Sequence, residues 1–142
     1  MNSHKLLIVD DDPAAIMLSR VAILKVRTDC SIVEATCGNQ ALACLNNGTL
    51  PDLILLDLKL SGMDGIEILQ QIRAREDCRT IPIIILSSSK LESDLLAAYN
   101  AGANDYLYKE YCFSTFVENL NAAIHFWIDV NVLPNHYDKN AV

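Results

Sequence analysis

A chain of 142 residues with a 51% apolar share is one domain by length, and it can bury roughly 68–70% of its unfolded surface without disulfide or metal staples. A formal net charge of −7 argues against a nucleic-acid partner, whose phosphates need clustered Lys and Arg, and leaves room for a cation. No apolar run approaches the ~20 residues of a membrane span and no signal-peptide pattern opens the chain, so no membrane partner is expected and a cytoplasmic location is.

Lys5 to Val9 is an apolar run that ends in Asp10-Asp11-Asp12, and it predicts a buried first strand. Pro13 suits the first turn of a helix over 14–26, with Ala15, Leu18, Ala22 and Val26 as its inward stripe and Asp12 as an acid favoured at the helix start. The alternating, β-branched stretch 31–35 predicts a second strand nearer an edge. Gly38-Asn39 opens a second helix with Ala41, Leu42 and Leu45 inward, and Asn47-Gly48 closes it. Leu53-Ile54-Leu55-Leu56 then runs into Asp57. Four apolar residues in a row, bounded by Pro51 and Gly62, predict a strand buried on both faces.

Asp64 is a plausible cap for a third helix over 65–75, carrying Ile66, Leu69 and Ile72. The run 82–86 predicts a fourth strand that delivers Ser87-Ser88-Ser89. A fourth helix over 91–101 has Leu91, Leu95, Ala98 and Tyr99 at helical spacing and stops at Gly102. A fifth strand at 105–108 leads to Lys109, and a fifth helix over 114–128 carries Phe116, Leu120, Ala123, Ile124 and Trp127. The domain is expected over 1–128. The polar stretch 129–142 is expected to be a loosely ordered tail. Cys30, Cys37, Cys44, Cys78 and Cys112 are odd in number and match no C-x-x-C motif, so they read as small apolar side chains in a reducing compartment. His4, His125 and His136 lack metal-ligand spacing and read as incidental.

Five βα units in strict alternation predict an α/β fold, a doubly wound parallel sheet with helices on both faces. The strand order 2-1-3-4-5 places the first and third strands side by side at the switch point, where ligands bind beyond the strands' carboxyl ends. Asp10, Asp11 and Asp57 become neighbours. Three carboxylates together repel one another, and a divalent cation removes the problem. All-oxygen ligation suits Mg2+, which shares its shell with phosphate. Such a cation beside Asp57 is arranged for phosphoryl transfer to that carboxylate, as an aspartyl-phosphate. Ser87 could offer a hydroxyl and Lys109 an ammonium to the phosphoryl oxygens. Taken singly, Ser87 is a turn residue and Lys109 a solvated charge; at one sheet edge with Asp57 they form a site.

Asp10-Asp11, Asp57 with Gly62-Met63-Asp64-Gly65, Ser87, and Gly102-Ala103 followed by Tyr106 and Lys109 resemble the receiver domain of two-component response regulators, over residues 5 to about 128. The resemblance implies a flavodoxin-like (βα)5 fold of the chemotaxis-regulator type. It implies that Asp57 accepts a phosphoryl group from a sensor histidine kinase, in a phosphoacceptor switch that is no enzyme in the turnover sense. It implies that Asp11 binds Mg2+ directly, Asp10 mainly through water, and the Lys59 backbone carbonyl completes the protein ligands. Ser87 and Tyr106 would be the switch pair, altering the surface of the fourth helix, fifth strand and fifth helix for a downstream protein target or phosphotransfer protein. Leu86-Ser87-Ser88-Ser89, Ala98-Tyr99, Gly102-Ala103-Asn104 and Phe113 to Trp127 resemble, more narrowly, single-domain regulators that partner bacterial phytochromes and often form homodimers through that surface, where Phe113, Tyr108 and Trp127 are candidates.

Two positions depart from the family pattern. Ser61 stands where the family usually has Pro, which implies a less rigid loop after the third strand. Glu110 stands where the family usually has a cis-Pro. A non-proline cis bond costs about 2.5–4 kcal/mol, so a trans bond is expected, with a negative charge that could draw the Lys109 ammonium away. If those departures impair switching, the alternative is a receiver-like interaction module that acts without phosphorylation. A haloacid-dehalogenase-type phosphatase would want Asp-x-Asp, and the chain reads Asp57-Leu58-Lys59.

Overall fold

In the computed structural model, which describes residues 4–134, five strands alternate with five helices. The strands are β1 (His4–Val9), β2 (Cys30–Ala35), β3 (Leu53–Asp57), β4 (Ile83–Ser87) and β5 (Asp105–Tyr108). The helices are α1 (Pro13–Leu24), α2 (Gly38–Asn46), α3 (Gly65–Ala74), α4 (Glu92–Asn100) and α5 (Phe113–Ile124). All strand pairings are parallel and the order is β2-β1-β3-β4-β5, the flavodoxin-like arrangement expected from the alternation.

The strand period of two explains the two cores. Leu7, Val9, Ile54, Leu56, Ile83 and Ile85 point to one face and pack on α2, α3 and α4. Leu6, Ile8, Leu53, Leu55, Ile84 and Leu86 point to the other and pack on α1 and α5. β3 and β4 are buried at every position, which is why their runs are continuous rather than alternating. Each such Leu or Ile contributes about 1.5–3 kcal/mol by leaving water. Register then fixes the site. Val9 pairs with Leu56 and Asp57 with Leu86, so the residues just past β1 and β4 flank Asp57. Ser87 pairs with Tyr108, which brings Lys109 to the same edge.

Three expectations need correction. The inward face of α1 is Ile16, Ser19, Ala22 and Ile23; Leu18 is 51% exposed and Val26 63%. This helix is apolar on nearly all sides, so its period does not choose a face. In α4 only Ala98 of the expected stripe is fully buried, and Leu91 and Tyr99 are exposed. The expected boundary at 128 lies inside a wider helical turn, His125–Val130, which continues α5. Asp129 there is held by Arg27, and Leu133 beyond it is 4% exposed, so the chain stays docked past 128. Residues 135–142 of the expected tail, with His136, lie outside the described residues.

Candidate functional site

Asp57 is the last residue of β3 and is 8% exposed; Asp10, just past β1, is 5% exposed, and Asp11 is the least buried of the three. One carboxylate oxygen from each lies within 4.8 Å of the others. The Lys109 Nζ sits between two of them, donating to Asp10 Oδ2 at 2.8 Å and to Asp57 Oδ2 at 3.1 Å. Glu110 therefore does not draw that ammonium away. The described residues contain no cis peptide bond, so the Lys109–Glu110 bond is trans, as expected. Its shape is set upstream, where the Lys109 amide donates to the Ser87 carbonyl at 2.9 Å.

Local backbone donors hold the remaining oxygens. Asp10 Oδ1 accepts from the Asp12 amide at 3.0 Å, and Asp12 caps α1 by accepting from the Ala14 amide at 3.0 Å. Asp57 Oδ1 accepts from the Lys59 amide at 3.3 Å. Asp64 caps α3 through the Ile66 amide, also at 3.3 Å. Gly65 lets α3 start against β3: a Cβ there would lie 2.5 Å from the Asp57 carbonyl oxygen and 2.6 Å from Leu58 Cα.

Electrostatics follow from burial. Loss of water pushes the Asp57 carboxyl above its ordinary value, and the Asp10 charge adds to the rise, against Lys109 and the Lys59 amide. Burial alone would lower the Lys109 ammonium, but its hydrogen bond to Asp10 and the Asp57 charge outweigh it, and the net direction is up. Three carboxylates face one ammonium. The donors are all oxygen and the excess charge is negative, which fits a hard divalent cation.

Ser87 is buried, and its Oγ accepts from the Ser89 amide at 3.1 Å. The Tyr106 hydroxyl donates to the Ser89 carbonyl at 3.0 Å, and its ring packs against the α2–α4 core, edge-on to Tyr108 at 5.9 Å. Two residues whose partners the sequence did not reveal connect these parts. Ser89 donates its hydroxyl to Asp94 in the first turn of α4 at 2.5 Å and so joins Ser87, Tyr106 and α4. Ser61 was expected to loosen its loop; instead it ties the loop to Asp11, through its amide at 3.1 Å and its hydroxyl at 2.8 Å. The polar run Ser87-Ser88-Ser89 was a signal for the first. For Ser61 only the acidic pair opposite could have served.

A second group, His4, Asp29 and Asp129, also brings ligand atoms together, at the opposite end of the sheet. There the Arg27 guanidinium already donates two hydrogen bonds to each carboxylate, all at 2.9 Å. This is an ion-pair knot that fastens the end of α5 to the turn after α1. The Arg27 hydrogen bond holds the Asp29 carboxyl down at about 2, against the cost of its burial.

Residues 6–121 match the response regulator receiver domain family. The response regulator Rcp1 of Synechocystis sp. is 30% identical over 135 residues, which span 91% of this chain and 92% of Rcp1. The structure of the Mn2+-bound form of Rcp1 superposes with a TM-score of 0.84, over 93% of this chain and 99% of that one. The phosphorylated cyanobacterial phytochrome response regulator RcpA superposes with a TM-score of 0.86 at 31% identity, over 92% and 98%. The bacteriophytochrome response regulator AtBRR gives 0.72 at 32% identity, over 94% and 99%. Among the described residues no helix is long and apolar enough to cross a membrane.

Proposed function

The chain belongs to the response regulator receiver domain family, whose members serve two-component signalling by accepting a phosphoryl group, and we propose that Asp57 is the acceptor here. One observation carries the assignment: the buried Asp57 carboxylate ends the central strand beside Asp10 and Asp11, with the Lys109 Nζ 3.1 Å from its oxygen.

An Asp57 carboxylate oxygen attacks phosphorus in a phosphohistidine. The new O–P bond forms as the P–N bond breaks, and the imidazole nitrogen leaves with the electron pair. Lys109, already an ammonium between Asp10 and Asp57, neutralises charge on the transferred group's oxygens. Ser87 lies at the next strand end and supplies a hydroxyl to one of those oxygens. Asp10, Asp11, Asp57 and the Lys59 carbonyl would hold Mg2+, which when bound offsets the negative charge of carboxylates and phosphoryl oxygens together.

The phosphoryl group adds about −1.5 to −2 charges at a buried edge, and Ser87 and Tyr106 report it. Ser87 leaving the Ser89 amide for the phosphoryl group changes the segment that holds both the Tyr106 hydroxyl and the start of α4. The surface of α4, β5 and α5 carries exposed Leu91, Leu96, Tyr99 and Tyr108, which supports its use as the output face, for a downstream protein or a second copy of the chain. The protein acts as a switch and not as an enzyme on a separate substrate. The names of RcpA and AtBRR support a phytochrome-type histidine kinase as partner, and a cytoplasmic site of action goes with that reading. The Lys109 position removes the main reason for preferring a phosphorylation-independent module.

Incubation with acetyl phosphate and Mg2+ tests the proposal. The wild-type chain is expected to gain an acid-stable, base-labile phosphoryl group that Asp57→Asn does not gain. Equal labelling of both would sink the assignment.

A further inference from the structure

The loop between β3 and α3 bends back over the acidic cluster and touches it at two residues, Lys59 through its amide on Asp57 and Ser61 on Asp11. Ser61 donates twice to a single oxygen, Asp11 Oδ2, from its amide at 3.1 Å and its hydroxyl at 2.8 Å. Asp11 depends on that contact more than its neighbours do on theirs. Asp10 and Asp57 are buried, share Lys109, and each accept a local backbone amide. Asp11 is the least buried of the three, and among the described residues its two hydrogen bonds both come from Ser61. Without them an Asp side chain open to water spreads over its rotamers, and ordering it on ligand binding costs free energy. With them the carboxylate is held where one of its oxygens lies within 4.8 Å of ligand atoms on both Asp10 and Asp57.

The loop that carries Ser61 is itself anchored. The Gly65 amide donates to the Leu58 carbonyl at 2.9 Å, Asp64 caps α3, and Gly62 turns the chain at a φ of 84°. Ser61 is therefore presented from a fixed turn. Both of its donors act on Oδ2, and among the described residues Oδ1 accepts no hydrogen bond, so the carboxylate is oriented without being used up.

We infer that Ser61 is a positioning residue for the cation: its amide and hydroxyl hold Asp11 in a ligating orientation before a divalent cation arrives. The inference rests on the reading of Asp10, Asp11 and Asp57 as the cation site. Partners that orient metal ligands commonly contribute 10–100-fold to affinity, and the hydroxyl is the stronger of these two donors by length.

The test is Mn2+ affinity of the whole chain, read as free Mn2+ by electron paramagnetic resonance, with no phosphodonor present. Ser61→Ala is expected to weaken binding about tenfold. Ser61→Thr, which keeps both donors, is expected to bind like wild type, and Ser61→Pro, which keeps neither, no tighter than Ser61→Ala. Melting in EDTA, measured in parallel, is expected to move little in Ser61→Ala and Ser61→Thr, because the contact lies at the surface. A Ser61→Ala protein that binds Mn2+ as tightly as wild type overturns the inference, as does Ser61→Thr failing to restore affinity. Asp11→Asn separates the two readings. Loss of binding there with none in Ser61→Ala rejects only the Ser61 role, whereas full binding by Asp11→Asn rejects the cation site itself.

Discussion

Replacing Asp57 with Asn keeps the side chain's shape and removes its charge, so the acidic cluster's cost to the fold can be read directly. Without a cation, Asp57 faces Asp10 and Asp11 within 4.8 Å and Lys109 at 3.1 Å. At an effective dielectric constant near 20, each carboxylate pair at that separation repels by about 3.5 kcal/mol, and the ammonium attracts by about 5 kcal/mol. Repulsion from the pair exceeds the attraction by ~1–2 kcal/mol, and water around Asp11, the least buried of the three, screens part of it. Burial adds a desolvation cost that Asn does not bear, in keeping with the raised Asp57 carboxyl. Asp57→Asn should thus stabilise the cation-free protein by about 1 kcal/mol, a rise in melting temperature of roughly 3–5 °C for a chain of this size. With Mg2+ at a hundred times its dissociation constant the wild type gains about 2.7 kcal/mol, and the variant, lacking one of three carboxylates, gains much less. The order of stability should reverse between EDTA and saturating Mg2+ in urea unfolding followed by circular dichroism. A variant less stable than wild type in EDTA, or one that gains as much from Mg2+, would refute the electrostatic reasoning.

Other outcomes follow from the same geometry. Gly65→Ala pushes a methyl group into backbone atoms of Asp57 and Leu58 that cannot yield, and should lower stability by about 1–3 kcal/mol in urea unfolding while weakening cation binding. Cys112 is exposed, and hydrogen bonds from Ser114 and Thr115 bring its thiol down to about 7, whereas burial pushes Cys30 up to about 11; Ellman's reagent near neutral pH should therefore react fastest at Cys112, and Cys112→Ser should remove that fast phase. Asp29, held at about 2 against an ordinary 3.8, stabilises the fold fully above about pH 4, and that contribution is lost as pH falls from there through 2. Arg27→Met should remove this acid-sensitive part and cost about 1 kcal/mol at neutral pH, discounted for the exposure of both Asp partners. A variant whose stability falls as steeply between pH 4 and 2 as the wild type's would contradict it.

The parts of this molecule that were legible in its sequence share one physical trait: their residue pattern has a single reading. The runs 53–56 and 83–86 are too apolar for any surface, so they must be central strands, and the residues after them must lie at one edge. Once the alternation set the strand order, Asp10, Asp11 and Asp57 had to meet, and the structure brings them within reach of one cation. What was not legible depends on choices the pattern leaves open. α1 is apolar on most sides, so burial of Ile16 and Ile23 rather than Leu18 and Val26 is decided by the approach of α5. The length of the last helix depends on the Arg27 ion pairs, whose members lie 102 residues apart. Ser61 looked like a missing proline because spacing shows what a residue replaces, and not which carboxylate its hydroxyl will find across 50 positions.

Under the proposed function this chain receives its phosphoryl group on Asp57. Phosphotransfer from a purified, phosphorylated histidine kinase, followed at once by borohydride reduction and peptide mass spectrometry, reads the acceptor directly. Homoserine is expected at position 57, produced only with Mg2+ present and absent after EDTA. Reduction products at any other aspartate with position 57 intact, or phosphotransfer undiminished in Asp57→Asn, would contradict it.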